Sequence, residues 1–167
     1  CHKIITKMKI EQIYTGCLAH AAYYLESNGE AAIFDPLREV QPYINRAEAD
    51  KAKIKYVFET HFHADFVSGH LDLAKQTGAS IVYGPTAKPS FDAVIAEDNQ
   101  VFTVGECRVK AIHTPGHTME STCYLIIDEQ GVEKGIITGD TLFIGDVGRP
   151  DLAQHVIEDL TETKLAS

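Results

Sequence analysis

Glu59-Thr60-His61-Phe62-His63-Ala64-Asp65-Phe66 packs two histidines and a carboxylate into one short run. It follows Ile54-Lys55-Tyr56-Val57-Phe58, an apolar run that reads as a buried strand. Neutral imidazole and carboxylate are ligands of borderline divalent metals such as zinc and ferrous iron. A strand end gives such ligands a rigid support. Two further segments are of the same kind, His113-Thr114-Pro115-Gly116-His117-Thr118 and Thr138-Gly139-Asp140-Thr141. Each follows or ends an apolar run and supplies at least one possible ligand. One H-x-H is weak evidence by itself, whereas three metal-type segments at three strand ends argue for a metal centre.

Outward from this run the chain alternates strands and helices. Residues 8–14 alternate loosely and predict a strand, residues 21–25 a second and 31–34 a third, with Asn28-Gly29 as a hairpin turn between the last two. Val40, Tyr43, Ile44 and Ala47 fall at helical spacing and predict an amphipathic helix over 40–51. A second helix is expected from His70 to Thr77, stopped by Gly78, and a strand over 80–83. Residues 86–99 carry Pro89 and mixed polarity and read as an irregular connection with at most a short helix. Strands are expected over 100–104, 107–112, 122–127 and 135–138, with a turn over 128–133 and a terminal helix over 155–165. The pattern fits two sheets packed face to face with helices outside. Periodicity alone equally permits an ordinary α+β sandwich.

The 167 residues read as a single domain, 1–167, long enough to bury a core. Met8 is a candidate start, which would make residues 1–7 a tag or upstream sequence. No stretch approaches the ~20 apolar residues of a membrane span. The formal net charge of −9, with no basic cluster, argues against a nucleic-acid or anionic-membrane surface. None of the cysteines Cys1, Cys17, Cys107 and Cys123 forms a C-x-x-C pair, so reduced thiols in a cytoplasmic protein are expected.

Residues 60–65, 114–118 and 138–143 resemble the three motifs of the metallo-β-lactamase fold, in the right order along the chain. The resemblance implies an α/β (α+β) fold, an αββα sandwich with its metal at the edge of the sheets. Relatives usually continue to a further histidine of a second metal site. That segment is not seen here, so the domain reads as truncated at its C-terminus. Residues 65–69 and 144–152 are similar to the persulfide dioxygenases, including bacterial forms fused to rhodanese domains. That narrower likeness implies oxidation of glutathione persulfide, or a related small persulfide, by O2 to sulfite and thiol at one non-haem Fe(II) per chain. Zinc is the alternative metal as isolated.

Carried over residue by residue, the likeness makes His63, His117 and Asp140 the metal ligands, a set that leaves open positions on an octahedral ion. His61 and Asp65 are then catalytic candidates. His61 is either a ligand or a partner that orients one, and Asp65 is a hydrogen-bonded carboxylate beside the site. Phe66 stands where most of the superfamily has a histidine of the second site and has no lone pair to give. Arg149 is the candidate for an anionic substrate tail, because a guanidinium clamps a carboxylate with two hydrogen bonds. The bland alternative is a loop ion pair with Asp146 or Asp151. His113 reads as a structural histidine at a strand end, and His20, His70 and His155 as packing or surface groups. Two other functions stay open. One is a glyoxalase II-type hydroxyacylglutathione thioester hydrolase, which commonly uses two metals. The other is a metal-binding partner of a rhodanese in sulfur transfer. A homo-oligomer is also left open.

Overall fold

The structure is a computed structural model that describes residues 8–14, 21–62, 68–115 and 119–138. Within these, six strands make one sheet in the order β1-β2-β3-β4-β5-β6: Lys9–Tyr14, Ala21–Ser27, Glu30–Phe34, Lys53–Phe58, Ser80–Tyr83 and Val94–Ile95. A second sheet has four strands in the order β10-β9-β8-β7, namely Glu133–Ile137, Thr122–Ile127, Cys107–His113 and Val101–Val104. Helix α1 (Gln41–Ala49) joins β3 to β4, and α2 (His70–Thr77) joins β4 to β5.

Local sequence accounts for the connections. At Asn28-Gly29 both φ angles are positive, 49° and 81°, the twist that a tight hairpin needs and that these two residue types tolerate best. β1 to β3 are accordingly antiparallel neighbours. β3, β4 and β5 run parallel. Parallel strands need a long crossover, and the two helices supply it.

The first sheet is covered on both faces. Ala22, Tyr24, Ala31, Ile33, Ile54 and Val57 pack against Val40, Tyr43 and Ala47 of the α1 segment and Leu73 of α2. Tyr23, Leu25, Ala32, Phe34, Phe58 and Val82 face the second sheet and meet Phe102, Val104, Val109, Ala111, Tyr124, Ile126 and Ile137. Burial on both faces explains why β2 and β3 read as near-continuous apolar runs. Phe58 is the hub of the inner core. Its ring stacks on Phe34 at 4.9 Å and touches Tyr124 at 4.9 Å and Phe102 at 5.4 Å.

The β3–β4 register carries one irregularity. Ala31 pairs with Ile54 but Ala32 pairs with Tyr56, so Lys55 is passed over. That shift is why Ile54 and Val57, three apart, bury on the same helix-covered face while Tyr56 and Phe58 turn to the other sheet.

Two elements differ from the expected pattern. A two-residue strand, β6, lies inside the segment read as irregular, pairing Val82 with Val94 and Tyr83 with Ile95. β10 begins at Glu133, inside the expected turn, with a register shift between Glu133 and Gly135. The expected terminal helix over 155–165 lies outside the described residues. No described helix is long and apolar enough to cross a membrane.

Candidate metal centre

The carboxyl ends of β3, β4 and β5 meet at one edge of the first sheet, the side on which open α/β sheets place their ligands. The ladder continues past the strands there. Asp35 N–H donates to the Phe58 carbonyl at 2.9 Å and Glu59 N–H to the Val82 carbonyl at 2.9 Å. Three polar residues follow the apolar end of β4, and all are buried: Glu59, Thr60 and His61. Burying them is costly unless each is hydrogen-bonded.

Asp35 meets that requirement for Thr60. Its carboxylate accepts the Thr60 backbone N–H at 2.9 Å and the Thr60 hydroxyl at 2.8 Å. Thr60 Oγ1 also lies 3.0 Å from His61 Nδ1. A carboxylate can only accept, so the hydroxyl proton goes to Asp35. Nδ1 of His61 is then the donor to Thr60 Oγ1, and Nε2 is the ring's lone-pair nitrogen. A metal-binding histidine has this form: one nitrogen donates outward and the other carries the lone pair. The donor chemistry of this end of the sheet therefore fits a divalent metal.

The second sheet is tied to the same point. Thr122 N–H donates to the Thr60 carbonyl at 2.9 Å, Tyr124 hydroxyl to the Glu59 carbonyl at 2.8 Å, and Phe62 N–H to Glu120 Oε1 at 3.1 Å. Burial, followed by the Asp35 and Glu59 carboxylates, holds the Tyr124 hydroxyl far above its ordinary pKa, so it stays a donor. His113 ends β8, and its Nε2 lies 2.8 Å from the Met119 carbonyl, which makes Nε2 the protonated nitrogen. With Thr114 N–H donating to the Ser121 carbonyl at 2.9 Å, this closes the base of the segment that carries His117. His113 thus has a structural job here.

Of the site residues expected from sequence, His61 alone lies within the described residues. His63, Asp65, Phe66, His117, Asp140 and Arg149 lie outside them. Among the described residues no three His, Cys, Asp or Glu side chains gather closely enough to hold an ion. Sequence reading missed Asp35 and the Thr60 hydroxyl. The available signal was a carboxylate directly after the buried, apolar end of a strand, at Phe34-Asp35, repeated one strand later at Phe58-Glu59.

Residues 15–166 match the family model described as the metallo-beta-lactamase superfamily. The chain belongs to that superfamily. Its fold is the one the motifs implied, and members of the superfamily bind metal ions, typically zinc. A metallo-beta-lactamase from Staphylococcus aureus has a similar structure, with a TM-score of 0.75 and 34% identity over 93% of this chain and 50% of that one. ETHE1 from Myxococcus xanthus is also similar, with a TM-score of 0.66 and 26% identity over 71% of this chain and 53% of that one. Among curated proteins, the cytoplasmic hydroxyacylglutathione hydrolase of Arabidopsis thaliana is 34% identical over 85% of this chain and 56% of its own length. Bacterial relatives at 31% to 40% identity carry the same hydrolase name. This metallo-β-lactamase-superfamily chain spans about half the length of the curated relatives it matches.

These relatives correct the functional expectation. The persulfide dioxygenase reading, taken from residues 65–69 and 144–152, is overturned by curated relatives that are named hydrolases. The expectation of Fe(II) rested on that reading and loses its basis with it. The physical reason is plain. Two histidines and a carboxylate are donors for hydrolytic zinc as well as for redox iron, so the ligand types alone do not choose the reaction.

Proposed function

We propose that this chain carries the metal site of a thioester hydrolase acting on acylated glutathione. The observation that carries the reading is the Asp35–Thr60–His61 chain, which fixes His61 in the tautomer a metal requires, in a chain whose curated relatives are named hydroxyacylglutathione hydrolase. His61, His63, His117 and Asp140 are the donors that would hold the ion. A bound zinc supplies Lewis acidity, making a water a nucleophile near neutral pH and polarising the thioester carbonyl. The residues around it bind and orient. Asp35 and Thr60 hold the His61 ring and keep its Nδ1 proton in place. Asp65, whose neighbour Phe66 offers no ligand for a second metal, accepts the proton of the attacking water. Arg149 holds a carboxylate of the anionic glutathione tail by paired hydrogen bonds. Phe66 has no lone pair to give a second ion, so the hydrolase proposed here works with one metal.

The test is thiol release from S-lactoylglutathione by the zinc-loaded protein, against zinc in buffer and against the His61→Ala protein. Turnover that is metal-dependent and lost in His61→Ala is the expected result. Release no faster than zinc in buffer overturns the proposal.

A further inference from the structure

Glu59 is fully buried at the end of β4, and the thioester mechanism has no use for its carboxylate. Phe58 just before it belongs to the apolar core, and an ionised group beside it is expensive to bury. Its partner shows what it does. The Ser68 hydroxyl donates to Glu59 Oε1 at 2.7 Å. Ser68 lies beyond the H-x-H-x-D run, directly before α2, and its oxygen is 3.4 Å from the His70 backbone nitrogen at the start of that helix. His70 Nδ1 lies 3.5 Å from the same Glu59 oxygen. The bond therefore links the end of β4 to the start of α2, across the segment that holds His63 and Asp65. The turn after β3 completes the frame. Leu37 bridges to Ser68, Gly69 N–H donates to the Pro36 carbonyl at 3.1 Å, and a Cβ on Gly69 would collide with the Leu37 carbonyl oxygen.

We propose that Glu59 is a positioning residue for the metal site: through the Ser68 hydroxyl it closes the ligand-bearing segment between β4 and α2 and sets the spacing of its two ends. The carboxylate thus serves the metal site as well as the fold. This rests on the metal site and not on the choice of a thioester as substrate.

Glu59→Leu separates the two roles. It puts an apolar side chain of similar size in place of the carboxylate, which removes the cost of burying the charge and, with it, the contacts to Ser68 and His70. The Ser68 hydroxyl keeps the Pro36 carbonyl, 3.1 Å away, as an acceptor. Ser68→Ala removes the other end of the same bond. Zinc dissociation constants of the full chain are measured by chelator competition, and the urea midpoints of the metal-free proteins alongside. The expected result for Glu59→Leu is a metal-free protein that still unfolds in one cooperative step and binds zinc about tenfold more weakly, the low end of what losing an outer partner of a metal site costs. Ser68→Ala should weaken zinc to a similar degree, and the double variant no further than the weaker single one. Zinc affinity within twofold of the parent in either folded single variant overturns the proposal, as do losses that add in the double variant. No thioester is present, so failure here is distinct from failure of the hydrolase reading.

Discussion

Thr60→Val keeps the shape of a buried, β-branched side chain and removes one oxygen. That oxygen is engaged twice, donating to Asp35 at 2.8 Å and lying 3.0 Å from His61 Nδ1. Thr60 and Asp35 are each 2% exposed and His61 is 6% exposed, so water does not readily replace it. Asp35 loses one of its donors and His61 loses an acceptor. A buried polar group short of a partner costs about 1–3 kcal/mol. The added methyl returns about 0.8 kcal/mol of apolar burial. The metal-free protein should therefore lose about 1–5 kcal/mol, from two such groups less the methyl. The metal effect is separate. Without its acceptor the Nδ1 proton no longer fixes the tautomer, and zinc should bind roughly 10- to 100-fold more weakly. Urea unfolding of the metal-free protein measures the first and chelator competition the second. Thr60→Ser, which keeps the hydroxyl, should recover most of the zinc affinity. A folded Thr60→Val protein with the parent's zinc affinity would refute the assignment of His61 Nδ1 as the donor to Thr60.

Phe58→Ala should destabilise the protein by about 3–5 kcal/mol, because it empties the ring position shared by Phe34, Phe102 and Tyr124; a urea midpoint close to the parent's would show that the two sheets can close over the void. Dialysis against zinc should leave one tight equivalent per chain, and two tight equivalents by elemental analysis would contradict the part given to Phe66. Glu30 accepts the Gly105 N–H at 2.9 Å, and this bond, then Lys55, holds its carboxyl below the ordinary value. A lowered folded pKa contributes stability above the unfolded value that is lost as pH falls through the folded one. Glu30→Gln should therefore flatten part of the acid side of the stability profile, and an unchanged profile of urea midpoint against pH would rule out that contribution.

Much of this architecture was legible in the chain because the signals were local. The Asn28-Gly29 turn, the apolar phase of residues 40–51 and the stop at Gly78 each act within a few residues of themselves. β6 was not legible. It has two residues, Val94 and Ile95, both more than a third exposed, and so shows no alternation to read. The start of β10 was hidden for a related reason, since Glu133 and Lys134 are exposed and the register shifts between Glu133 and Gly135. At the site, His61 stood out by residue type. Asp35 and Ser68 did not, because their roles depend on partners on other elements, Thr60 25 residues from Asp35 and Glu59 9 residues from Ser68. The reaction was misread because residues 65–69 and 144–152 were weighed by likeness, and likeness in a loop does not decide what a metal does once held.

The passed-over Lys55 has a bearing on how this protein can change over generations. β3 is fixed in its hairpin with β2, and β4 must run beside it so that Phe34 meets Phe58 and Asp35 reaches Thr60. Because one residue of β4 has no opposite number, the count between α1 and the H-x-H run is one longer than a regular ladder allows. Losing Lys55 would repair the ladder and leave every facing as it is, whereas losing any residue from Tyr56 to Phe58 would put those before it out of phase or drag Thr60 past Asp35. Deletions should thus be tolerated at position 55 and be excluded from 56–61, where each strand residue has a partner in β3 and Thr60 must reach Asp35. A drifting lineage can shed that one unpaired residue of β4, and every other change in its length breaks the match to β3.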